Sequence, residues 1–157
     1  MDPLATYTGS LQCWNWSDIR EAGGVPAGRL VIWPDRLEMA GRNALKAVFR
    51  PRTIPKERVQ LIRPLLSANL MHQVISAVHP LARGRQYINV VVRPPEAQAD
   101  NTGNIHYLLG IRCPDTAEPL NVLEDAGFPV SRTAIRTTQL NIGGELSWRD
   151  FSERLGR

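Results

Sequence analysis

Hydrophobic and polar positions alternate in two adjacent stretches of the chain, and the break between them is a turn. Leu30 and Ile32 fall on one side of an extended segment, Pro34-Asp35 interrupts it, and Leu37 and Met39 resume the alternation. The pattern predicts strands at 29–33 and 36–40 joined as a hairpin. Further strands are predicted near 44–49 and 59–62. Gln86 to Arg93 carries Ile88, Val90, Val91 and Val92, β-branched side chains that suit a pleated surface. Ile105 to Arg112 sets Tyr107, Leu109 and Ile111 on one side, and Pro94 to Asn104 reads as the loop of a long hairpin between these two strands. Pro51, Pro55 and Pro64 are expected at strand ends or edges, because proline has no N–H to give a ladder.

Between these strands the period changes. Leu66, Leu70, Val74 and Val78 recur every four residues with Met71 and Ile75 beside them, which predicts a helix from about Leu65 to Val78. That helix carries no charge on either face. It is expected to be buried in the fold or in a homodimer, since a helix lying on a membrane surface would show lysine or arginine on its polar side. These six residues are therefore the candidate interface. Leu120, Val122, Leu123 and Ala126 predict a short helix led by Pro114-Asp115-Thr116 and stopped at Gly127, a residue suited to a left-handed C-cap. Thr133 to Ile142 is a further candidate strand, and Ser147 with Asp150 three residues on starts a terminal helix. Residues 1–24 place Tyr7, Trp14 and Trp16 ahead of the Gly23-Gly24 break, an arm expected to pack on the sheet as a strand or short helix.

The length of 157 residues with 43% apolar content is enough for one core, so one domain is expected. Its parts are an N-terminal arm over 1–26, a main unit over 27–131, and a strand and helix over 132–157 on the same domain. Met1-Asp2-Pro3 lacks the basic-then-apolar pattern of a signal peptide, and the uncharged run from Pro64 to Ala82 is too polar to span a bilayer. A cytoplasmic location is expected, with peripheral membrane attachment as the alternative. Cys13 and Cys113 lie far apart with no partners at metal-ligand spacing, so buried free thiols are expected.

Charge is uneven behind the net +4. From Arg42 to Arg63 seven basic residues face one acid, Glu57, which leaves the rest of the chain slightly acidic. Lys46, Arg50, Arg52, Lys56 and Arg58 are the candidate anion or phosphate site, because arginine forks and ammonium groups bind such oxygens by charge-assisted hydrogen bonds. A solvated basic sheet edge is the competing reading of the same run.

Catalytic signals are missing. There is no Gly-x-Ser-x-Gly, no Walker loop and no Gly-x-Gly-x-x-Gly. Glu124-Asp125 are adjacent on a helix and diverge, unlike a general acid and base pair. His72 and His79 have no acid near them and His106 lies in a strand, so all three are read as structural, and neither a cofactor nor a metal is expected. The partner is expected to be another protein or a second copy of the chain. Anionic lipid is the first alternative, nucleic acid the next, and a small hydrolase with a scattered site the last.

The order of these pieces resembles the small pleckstrin-homology-like domains of the bacterial and GRAM type. The resemblance rests on Gly28-x-Leu30, Asp35-Arg36-Leu37, Ile54-Pro55-x-x-x-Val59 and the closing Leu123-x-x-Ala126-Gly127-Phe128-Pro129-Val130, and covers roughly residues 27–131. It implies an α+β domain, mainly an antiparallel sheet in a sandwich or partial barrel, with a closing helix and here a C-terminal helix. It also implies a non-catalytic adaptor or scaffold, some members of the class holding phospholipid headgroups with basic residues of an early loop. The uncharged helix at 65–78 departs from the resemblance, since the class has a short loop there.

Overall fold

In a computed structural model of the chain, the described residues are 1–14, 23–41, 51–66, 85–93, 104–113 and 117–136. They form β1 (Ala5–Trp14), β2 (Gly23–Ile32), β3 (Arg36–Gly41), β4 (Arg52–Pro55), a one-turn 3-10 helix (Lys56–Arg58), β5 (Val59–Leu66), β6 (Arg85–Val92), β7 (Ile105–Arg112), α1 (Glu118–Asp125) and the two-residue β8 (Ile135–Arg136). The strand order is β4-β3-β2-β1-β7-β6-β5-β8. Every pairing from β4 to β5 is antiparallel, and β8 joins β5 in parallel. The protein is thus mostly antiparallel sheet with one helix among the described residues.

One short connection dictates the shape of this sheet. Six inter-strand spacings separate β4 from β5, about 29 Å if the sheet were flat. Only the 3-10 turn Lys56–Arg58 joins them, and at about 2 Å of rise per residue it bridges well under half that distance. The sheet therefore curls until its two ends meet at the turn. The concave face becomes the core: Leu30, Ile32, Leu37, Met39, Ile54, Ile62, Ile88, Val90, Val92, Leu109 and Ile111 are all at most 2% exposed. Leu120, Leu123 and Phe128 from α1 and the segment after it join the same cluster.

The curl needs close backbone contact at its middle. Gly9 stands opposite Ile111 where β1 meets β7, and the β1–β2 register shifts between Gly9 and Leu11. A Cβ on Gly9 would sit 2.7 Å from the Gly110 carbonyl carbon and 2.9 Å from Ile111 Cα. Tyr87 covers Gly110 from the next strand. Two glycines thus let two backbones cross at a bend that side chains would wedge open.

The hairpin read from Leu30 to Met39 forms as expected, with Trp33 N–H donating to Arg36 O at 2.9 Å across Pro34-Asp35. The residues expected to form an arm supply β1, an interior strand between β2 and β7, so the sheet begins well before residue 27. Leu65 and Leu66, expected to begin a helix, continue β5 instead, and the rest of that expected helix lies outside the described residues. Pro64 permits this extension. Ile62 N–H donates to Pro129 O and Ile62 O accepts from Ser131 N–H, so by alternation the nitrogen of Pro64 also faces away from β6 and costs that ladder nothing. A register shift between Val59 and Leu61 makes Gln60 the extra residue and lets Val59 and Ile62 both point inward. The strand near 44–49 and the terminal helix fall outside the described residues, and of the strand expected at 133–142 the described part is Ile135–Arg136.

The closing helix starts one residue after Ala117, which makes no side-chain cap. Its end is a Schellman motif: Phe128 N–H donates to Leu123 O, Gly127 N–H donates to Glu124 O, and Gly127 takes φ 78°.

Candidate functional site

The basic run is divided by the fold. Lys46 and Arg50 lie outside the described residues, Arg52 sits half-buried on β4, and Lys56 and Arg58 flank Glu57 on the 3-10 turn where the sheet closes. Lys56 has a structural task there. Its Nζ donates to Ala126 O at the end of α1 and to Pro34 O at 3.4 Å in the β2–β3 turn, and lies 5.3 Å from the centre of the Phe128 ring. Its backbone N–H donates to Asp35 O at 2.9 Å. One residue ties a hairpin tip, the strand crossover and the C-terminus of the closing helix, where a cation also meets the negative end of the helix dipole.

Arg58 is engaged in a similar way. Its Nε and Nη2 both donate to Arg93 O, at 3.1 and 2.8 Å, while Arg93 N–H donates to Arg58 O at 2.9 Å. The turn and the end of β6 are thereby clamped together. Of the interface candidates, Leu66 ends β5 and Leu70, Met71, Val74, Ile75 and Val78 lie outside the described residues. The described residues therefore bring together Lys56 and Arg58 at the crossover, with Arg52 on the strand leading into it.

Replacing Lys56 by methionine keeps the stem and removes the charge. We expect Lys56→Met to cost about 1–3 kcal/mol, the range for losing hydrogen bonds from a charged group to carbonyls left partly buried, read as a lower urea midpoint. An unchanged midpoint would show that Lys56 does not hold α1.

Two clusters were not anticipated from the chain. At the β2–β3 hairpin the Arg36 guanidinium lies 4.4 Å over the Trp33 ring and bonds Asp35 and Glu38, each at 2.9 Å. The Arg36 hydrogen bond holds the Glu38 carboxyl below the usual range. Ion pairs this exposed contribute little to stability. The second cluster runs from the half-buried Arg63 to two buried side chains. Arg63 Nε on β5 donates to Asn89 Oδ1 on β6 at 3.1 Å, and Asn89 Nδ2 lies 3.2 Å from His106 Nδ1 on β7 and 3.4 Å from Tyr107 O. Asn89 is fully buried and His106 is 3% exposed. Burial, reinforced by the Arg63 charge, lowers the His106 pKa to about 4. A single polar residue inside Ile88-Asn-Val-Val-Val92 was the one sequence signal for this cluster, since an amide amid β-branched residues needs a partner.

Burial also keeps the phenols of Tyr7 and Tyr107 protonated. The Tyr7 pKa is raised to about 12, first by desolvation and then by Glu118, whose Oε1 accepts from the Tyr7 hydroxyl at 3.4 Å. Desolvation likewise raises that of Tyr107. Both cysteines are buried thiols outside any disulfide, as expected. Cys13 stands opposite Tyr107 in the β1–β7 ladder, and Cys113, just past the end of β7, is six residues beyond Tyr107, about 20 Å away. A disulfide between them is excluded by that separation.

Among the described residues no group of three or more His, Cys, Asp or Glu is placed to hold a metal ion, and no helix is long and apolar enough to cross a membrane. No protein-family model matches the chain, and no curated protein is detectably similar to it in sequence.

Proposed function

We propose that the chain is a non-catalytic binding or scaffolding module with a pleckstrin-homology-like arrangement, acting through protein–protein contact. The observation that carries this reading is the strand order β4-β3-β2-β1-β7-β6-β5, closed by a helix that follows β7 directly. A four-strand meander and a three-strand meander meet at β1 and β7, the crossover turn folds one onto the other, and α1 plugs the core between them. This layout supports the likeness seen in the sequence motifs. Such a scaffold presents loops and edges while keeping its polar chemistry structural.

Protein contact is favoured over anionic headgroups because Lys56 and Arg58 direct their donors to backbone carbonyls of the chain itself. A headgroup cradle would have to take those donors away from the fold. The uncharged stretch from Leu66 to Val78 needs no such exchange to serve as a contact surface.

Size-exclusion chromatography with light scattering at low and high salt tests the reading. A dimer or larger species that persists at high salt is expected, since apolar association is not screened. A monomer at both salts that binds anionic vesicles at low salt and releases them at high salt would replace the protein-contact reading with the lipid one.

A further inference from the structure

The hydrogen-bond roles along the Arg63, Asn89 and His106 chain can be assigned one atom at a time. Arg63 Nε can only donate, so the Asn89 atom facing it is the carbonyl oxygen. The amide nitrogen of Asn89 then faces His106, and because it too can only donate, His106 Nδ1 must be a bare acceptor. The imidazole is neutral, with its proton on Nε2. Protonation at Nδ1 would set an N–H against the Asn89 NH2, and turning that amide over would abandon Arg63. The two acceptors of the chain are thus locked by donors at one end that cannot reverse.

We propose that the Arg63–Asn89–His106 chain is an acid-sensitive latch across β5, β6 and β7, which a proton at His106 Nδ1 breaks, releasing these strands from one another. The position suits such a device. Asn89, Val91, His106 and Leu108 lie on the face of the sheet opposite the core cluster and are all buried, so no water is at hand to solvate a new charge. Across the ladder His106 stands opposite Val91 on β6 and Trp14 on β1. Among the described residues, Arg63 is the charged group that acts on it, and its sign opposes protonation. The sign of the pH response follows. The folded state holds its imidazole neutral down to about pH 4 while the unfolded chain protonates near pH 6.5. The contribution is complete above pH 6.5 and is lost as pH falls, lowering the folded-to-unfolded ratio on the order of a hundredfold by pH 4.

Nitrogen NMR of the intact chain at neutral pH reads the tautomer directly, and amide hydrogen exchange during an acid titration reads the release. The expected result is an Nε2–H imidazole whose protonation coincides with loss of protection in β6 and β7. In His106→Gln, which keeps an acceptor but cannot titrate, that loss should move to lower pH. An Nδ1–H tautomer, an imidazole that titrates near pH 6.5 with β6 and β7 still protected, or an unshifted acid midpoint in His106→Gln would overturn the latch. If His106→Gln fails to fold, the tautomer and the titration of the unaltered chain decide the matter alone.

Discussion

Gly9→Ala is expected to be the most damaging single-methyl change in the described structure. The new Cβ would overlap the carbonyl oxygen of Gly110 and approach Ile111 Cα to 2.9 Å, and both obstacles are backbone of a central strand. Backbone cannot rotate aside as a side-chain end can. Relief requires β1 and β7 to part at the bend, where they are bonded into one ladder from Thr8–Arg112 to Trp14–His106. Overpacking of cores ordinarily costs about 1–3 kcal/mol and more where nothing can move, and we expect at least the upper end here. Gly28→Ala is the matched control. Its Cβ would meet the Cδ1 and Cγ atoms of Leu11, at 2.5 and 2.7 Å, a buried side chain whose shift, unlike that of a strand's backbone, can relieve part of the overlap, and would lie 3.2 Å from the Ala40 oxygen. Thermal melts of the two variants should therefore differ by several degrees, with Gly9→Ala the lower. Equal melting temperatures would show that the two strands do not approach as closely as described.

Leu123→Ala should detach the closing helix. Leu123 is fully buried, supplies the carbonyl that accepts from Phe128 N–H in the Schellman turn, and packs in the same cluster as Leu120 and Phe128. Its truncation leaves a cavity at the mouth of the curled sheet, for which about 2–5 kcal/mol is the usual range. In a chain of this size that corresponds to a fall in melting temperature on the order of 10 °C. Leu123→Met, which nearly conserves volume, should recover most of it. If Leu123→Ala melts within a degree or two of the parent, α1 is not part of the core.

The sequence made the strand faces legible wherever one side of a strand is apolar and the other is not. Leu30, Ile32, Leu37 and Met39 alternate through a Pro-Asp turn, and that hairpin forms with all four in the core. Gly127 was readable as a helix stop because no other residue takes its positive φ cheaply. β1 was harder. Ala5-Thr-Tyr-Thr-Gly-Ser-Leu-Gln-Cys-Trp14 mixes small polar residues and a glycine, as suits a strand that must bend, and local propensity then gives no clear vote. The end of β5 was misread because proline usually stops a strand. It does not when its nitrogen faces away from the antiparallel ladder with β6, and that depends on neighbours distant in sequence. The basic run was visible as charge, but its use was not. Whether an ammonium meets solvent or the carbonyl of Ala126, seventy residues later, is decided by the fold. The half-buried Arg63 and the buried Asn89 and His106 are likewise 26 and 17 residues apart, and only the β5-β6-β7 ladders join them.

The central place of β1 also bears on how the chain is made. During synthesis β1 emerges ahead of its partner strands and can pair with β2 on one side as soon as the Gly23–Ile32 segment follows. Its other edge must wait for β7, roughly 90 residues later, which at ribosomal speeds of about 5–20 residues per second is an interval of about 5–20 s. For that time an extended strand with exposed amides stands at the margin of a half-built sheet, open to any neighbouring chain. The glycine at its centre, which later admits β7, is meanwhile a poor template for a regular partner strand. The same residue that shapes the finished fold thus helps keep the nascent one from pairing wrongly.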